Sequence, residues 1–116
     1  MLKMNNPYSG EAMDICFTTD SYVNNGRPYV GILCKEAGED FWEPWSDLTV
    51  NLPDEQPSSK TCAFIDVNNN APGLEEWLKQ NNVATPTGMY GMSGWCMYPE
   101  YRLNMAVIQQ NTQRAD

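Results

Sequence analysis

An α+β domain, with a mainly antiparallel sheet of about four to six strands and one main helix packed on it, is the fold this sequence predicts. Three observations lead there. Apolar, β-prone runs recur along the chain and are separated by Gly, Pro and Asn signals. Only one stretch, Pro72 to about Asn81, carries its apolar residues at helical spacing. A length of 116 residues with 41% hydrophobic content suits one domain with a modest core rather than two. The domain is expected over 12–104, preceded by an N-terminal arm at 1–11 and followed by a polar tail at 105–116, a short helix or a disordered end.

Met13-Asp-Ile-Cys-Phe-Thr18 alternates in polarity, and Tyr29-Val-Gly-Ile-Leu-Cys34 follows the Asn24-Asn25-Gly26 step, so the two runs read as a hairpin. Ala37 to Asp40 forms a second turn. Phe41 to Leu52 then reads as one strand, with Trp42, Leu48, Val50 and Leu52 at even positions and Pro53 as its stop. Asp54 to Ser59 is a polar loop, and Thr61 to Val67 is an apolar run suited to a buried strand. Asn70 is placed to cap the helix, whose first turns hold Glu75 and Glu76 and whose inner face holds Leu74, Trp77 and Leu78. Asn81-Asn82 closes it. The glycines of Met89 to Gly94 read as turn and bulge positions before a last strand, Trp95 to Tyr98, which Tyr101 to Leu103 extends as an edge beyond Pro99.

Composition removes several chemistries. The chain has no His, which rules out Ser-His and Cys-His nucleophile pairs and any His-based metal site. Cys16, Cys34, Cys62 and Cys96 lack CxxC spacing and read as four buried thiols, without a zinc pattern. Asp66-Val-Asn-Asn-Asn70 opens like a calcium loop, but Ala71 and Trp77 stand where the Gly and the bidentate Glu belong. No Gly-rich phosphate loop with its Lys is present, and no cofactor is expected. Carboxylate acid-base chemistry remains open, with Asp47 and either Glu43 or Glu100 as the pair. The start of the chain lacks a signal-peptide run and no window spans a membrane, so a cytoplasmic location is expected.

A net charge of −8 and a pI near 4.3 argue against direct nucleic-acid binding, since a phosphate backbone is held by Lys and Arg. Between Glu36 and Ser59 lie seven acidic residues and no basic one, with Phe41, Trp42 and Trp45 among them. Two readings follow. In the first the tryptophans cover the core and the carboxylates face water. In the second Glu39, Asp40, Phe41, Trp42, Glu43, Trp45 and Asp47 form a surface for a protein partner with a basic face, where aromatics anchor and carboxylates steer. A spaced row of carboxylates also imitates DNA phosphates.

Leu48-Thr-Val-Asn-Leu-Pro53, the helix around Glu75-Glu76-Trp77-Leu78 and the ending Tyr98-Pro-Glu-Tyr-Arg-Leu103 together resemble a bacterial family catalogued as domain of unknown function 4313. The likeness spans about residues 12 to 104. It implies an accessory role in a conjugative or integrative mobile element and supplies no catalytic or binding residues to carry over. The function expected first is a non-enzymatic interaction protein of such an element, in its most concrete form a DNA-mimic inhibitor of a basic nucleic-acid-binding host protein. A regulatory or structural accessory protein comes second, and a carboxylate-based enzyme third.

Overall fold

The computed structural model describes residues 1–112. Strands β1 (Leu2–Asn5), β2 (Ala12–Ser21), β3 (Pro28–Glu36) and β4 (Glu43–Asp47) form one antiparallel sheet in the order β1-β2-β3-β4. Strands β5 (Thr49–Val50), β6 (Cys62–Ile65), β7 (Ala84–Ser93) and β8 (Cys96–Leu103) form a second, in the order β5-β6-β8-β7, and two short helices accompany them, α1 (Leu74–Gln80) and α2 (Met105–Gln110). The α+β class expected from the sequence is the class adopted, with its antiparallel strands divided between two four-stranded sheets.

Alternation sets the first sheet's register. Met13, Ile15 and Phe17 of β2 share a buried face with Val30, Ile32 and Cys34 of β3, where Ile15 lies opposite Cys34 and Phe17 opposite Ile32. Gly26 supplies the positive φ, 71°, that the intervening turn needs. The expected strand from Phe41 to Leu52 is broken at Leu48. There the Leu48 N–H donates to the Val30 carbonyl and its own carbonyl accepts from the Asp66 N–H, both at 2.9 Å, so one residue leaves the first sheet and joins the second. Its side chain is fully buried in the core that both sheets share, with Ile65, Tyr101 and Leu103 contributed by the second.

α1 docks its Leu74 and Leu78 in this core, and Trp77 meets Phe17 edge-on with ring centroids 6.4 Å apart. Asn70 does not cap it. The N-cap is Gly73 at φ 96°, a backbone setting that offers no side-chain acceptor. The Asn70 amide instead donates to the Asp47 and Asp66 carbonyls at 2.9 and 2.8 Å, tying the ends of β4 and β6 together.

The Met/Gly segment is itself a strand. Residues Ala84–Ser93 form β7, irregular between Pro86 and Tyr90 around Gly88, and a tight turn at Gly94 leads into β8. β8 is a central strand and not the expected edge, lying between β6 and β7. Pro99 is tolerated inside it because its pairing with β6 begins only at Glu100, so the missing N–H removes no bond on that side. On the opposite face of this sheet Leu52, Phe64 and Tyr98 form a second apolar cluster. Gly91 packs so closely there that a Cβ would stand 2.7 Å from Leu52 Cδ1.

The N-terminal residues form β1, held by a 2.6 Å ion pair between Lys3 and Asp14. The tail forms α2, capped by Asn104 and buried at Ile108, and the Asn111 carbonyl accepts from the Phe17 N–H at 2.8 Å. The part of the tail expectation that concerns residues 113–116 lies outside the described residues. Cys16, Cys34 and Cys62 are buried as expected, whereas Cys96 is exposed, because the β7–β8 turn reaches past the core. Among the described residues no helix is long and apolar enough to cross a membrane.

Candidate functional site

The hairpin of β3 and β4 gathers most of the acidic run. β3 ends at Glu36, Gly38 turns the chain at φ 87°, and the Glu39 N–H closes the turn on the Glu36 carbonyl at 3.1 Å. Glu43 then opens β4 opposite Cys34. Residues 36–43 therefore lie at one end of the first sheet. Asp54 and Glu55 do not join them, since they belong to the loop that follows β5.

Charge at this end is poorly balanced. Partial desolvation, then the neighbouring Glu43 and Glu36 carboxylates, raise the Glu39 pKa above the usual carboxylate range. The same end raises the Cys34 thiol, through burial first and then Glu36, Glu43 and Glu39. The adjacent cation, Lys35, stands 4.8 Å from the centre of the Trp42 ring. Glu36 accepts from the Asn6 amide at 2.8 Å. Asp40 is exposed, and Phe41 beside it is 79% exposed, a large apolar ring between Asp40 and Glu43 in the chain.

Further along β4 the aromatic and acidic side chains separate. Leu33 lies opposite Pro44 and Ile32 opposite Ser46, which leaves Trp45 as the extra residue of a β-bulge. The bulge turns Trp45 against the shared core, where it is partly buried. Trp45 also lines a cleft of about 230 Å³ with Met4, Leu74 and Trp77. Asp47 is exposed and accepts from the Tyr29 hydroxyl at 2.6 Å, and burial together with this bond pushes the Tyr29 pKa up to about 12. The sequence-predicted residues thus form a compact group, Glu39, Asp40, Phe41, Trp42 and Glu43, with Trp45 directed to the core and Asp47 at the far end of the strand.

The carboxylate pairs considered for acid-base chemistry do not share a cleft. The cleft at Asp47 is lined by Thr18, Tyr29, Gly31 and Ser46, and neither Glu43 nor Glu100 reaches it. Glu100 is buried on the second sheet and accepts from the Ser58 N–H, the Ser58 hydroxyl and the Thr87 hydroxyl at 2.7, 2.6 and 2.6 Å. Burial alone pushes its pKa up, but these bonds outweigh it and leave the carboxyl below its ordinary range, the reverse of what a general acid needs. Among the described residues no group of three or more Cys, Asp or Glu is placed to hold a metal ion.

A second feature lies outside the sequence-predicted residues. The β7–β8 hairpin exposes Met89, Tyr90, Met92, Trp95 and Met97, each at least half accessible. Its signal was the uncharged run from Gln80 to Pro99, twenty residues in a chain that is 19% charged.

A family model described as a domain of unknown function (DUF4313) matches residues 16–115. No curated protein and no solved structure matches the chain.

Proposed function

The chain belongs to the DUF4313 family, a domain of unknown function, and from that premise we propose that it is a non-enzymatic interaction protein whose β3–β4 hairpin binds a protein with a basic surface. The observation that carries this reading is the crowding of Glu36, Glu39 and Glu43 carboxylates beside Asp40 and the exposed ring of Phe41. An approaching Lys or Arg relieves repulsion that the folded chain leaves uncompensated, and Phe41 supplies an apolar anchor at the centre of the contact. The bulge at Trp45 and the Tyr29–Asp47 bond fix the strand that carries the acids.

In its finer form, the partner is a basic nucleic-acid-binding protein of the host of a mobile element, and the hairpin occupies the groove that otherwise takes DNA phosphates. An inhibitor of restriction or CRISPR nucleases has this chemistry. Counterions released from the acidic hairpin and from the basic groove make such a complex sensitive to salt.

Affinity capture from host lysate with the full chain as bait, read by mass spectrometry, tests this. A basic nucleic-acid-binding protein is expected to be retained at about 50 mM salt and lost by about 500 mM. A specific partner held equally at both ionic strengths contradicts an electrostatic contact.

A further inference from the structure

We infer that the Met89–Ser93 segment of β7 pairs antiparallel with the same segment of a second copy of this chain, joining two second sheets into one continuous sheet across a two-fold axis. The four edges of the two sheets are treated differently. β1 is four residues long and carries Lys3, and β5 has only two residues. β4 carries Pro44, a bulge and the carboxylates of Glu43 and Asp47, all devices that block strand addition. β7 is ten residues long, has no charged residue and is irregular only in its first half. The half beyond that irregularity is an open edge without a guard.

The register shows which groups are available. Ser93 and Cys96 close a two-residue turn, so they form the hydrogen-bonded pair, and bonded pairs alternate along the ladder. Gly91 opposite Tyr98 is then bonded, while Tyr90 and Met92 turn their backbone N–H and C=O groups away from β8. A two-fold axis through Gly91 sets Tyr90 opposite Met92 of the second copy, and these outward groups bond each other. It also brings the Met92 thioether onto the Tyr90 ring, a contact sulfur and aromatic rings favour. Tyr90 is 57% exposed and Met92 and Met97 are both 52% exposed in the single chain, and the pairing covers this face.

The uncharged edge admits a second copy, and its register about Gly91, which sets Tyr90 opposite Met92, is self-complementary. Two chains of net charge −8 repel, and self-association is favoured where the contact itself brings no like charges together. The uncharged run from Gln80 to Pro99 is the longest in the sequence and contains the whole of β7. Closure about a two-fold axis also consumes the edge on both chains and leaves none for a third.

Sedimentation velocity on the full chain decides the matter. Wild type is expected to run as a dimer of about twice 13.1 kDa, and more completely so at high salt, where the repulsion between acidic chains is screened. Met92→Lys places like charges across the axis and is expected to raise the dimer dissociation constant more than about 100-fold. Its circular dichroism should match wild type, and its melting temperature should match that of wild type diluted until the dimer dissociates, because the side chain is half exposed in the monomer and only the dimer adds stability. Phe41→Lys, on the acidic hairpin, should leave the dimer intact. A wild type that stays monomeric at both salt concentrations overturns the inference, including the case in which another protein captures the strand. A dimer broken by Phe41→Lys and not by Met92→Lys overturns it as well. Because salt strengthens this contact and weakens the one with a basic partner, either can fail without the other.

Discussion

A chain carrying Glu39→Gln, Asp40→Asn, Glu43→Gln and Asp47→Asn together is expected to lose affinity for its basic partner by at least about 100-fold while folding as wild type does. About 1 kcal/mol for each interfacial charge pair more than accounts for that loss. The fold should survive because none of the four side chains is buried, and the amide introduced by Asp47→Asn retains an oxygen for the Tyr29 hydroxyl. Surface substitutions of this kind leave the unfolding midpoint close to that of wild type. Titration calorimetry and urea unfolding on the same preparations check both halves. Unchanged affinity places the contact elsewhere, and a large loss of stability makes the acids structural.

Glu100→Ala is expected to destabilise the chain by about 2–3 kcal/mol, because it removes the acceptor of three hydrogen bonds. Ser58 is exposed and recovers part of that loss by bonding to water. The loss should be local before it is global. Ser58 ties the loop after β5 to β8, so amide exchange in Asp54 to Lys60 should rise before that of β6 and β8. Glu100→Gln keeps one acceptor oxygen but opposes its amide to the Ser58 N–H, and about half the effect is expected. The pH dependence has a fixed sign. The folded carboxyl lies below its ordinary 4.5, so its contribution is present above that pH and disappears as pH falls through the folded value. The stability difference between wild type and Glu100→Gln should therefore narrow in acid. A difference that is constant from neutral pH down to about pH 3 contradicts the charged-acceptor account.

Local sequence carried the parts of the fold that local physics decides. The alternation of Met13, Ile15 and Phe17, the Asn25-Gly26 turn and the helical spacing of Leu74, Trp77 and Leu78 survive in the structure as read. β7 was hidden because Pro86 and Gly88 interrupt Thr85-Pro-Thr-Gly88 and its Met/Gly continuation has no β-branched residue to mark a strand. Pairing with β8 makes it one. Asn70 was misassigned because its acceptors, the Asp47 and Asp66 carbonyls, are brought beside it only by the tertiary fold. In the candidate site, Glu39 to Glu43 were legible as a group since a hairpin turn keeps neighbours together. Trp45 was not separable from them, because one bulged residue decides which way a strand side chain points. The break at Leu48 is the same kind of event, a backbone choice between Val30 and Asp66 that a period-two pattern cannot express.

The most direct test of the acidic hairpin as a stand-in for phosphates is competition. The partner recovered from lysate is bound to fluorescent duplex DNA at low salt, and the full chain is titrated in while anisotropy is followed. Displacement of the DNA to completion by wild type, with the four-acid variant inert over the same range, is the result expected. A ternary complex in which partner, DNA and chain persist together contradicts it.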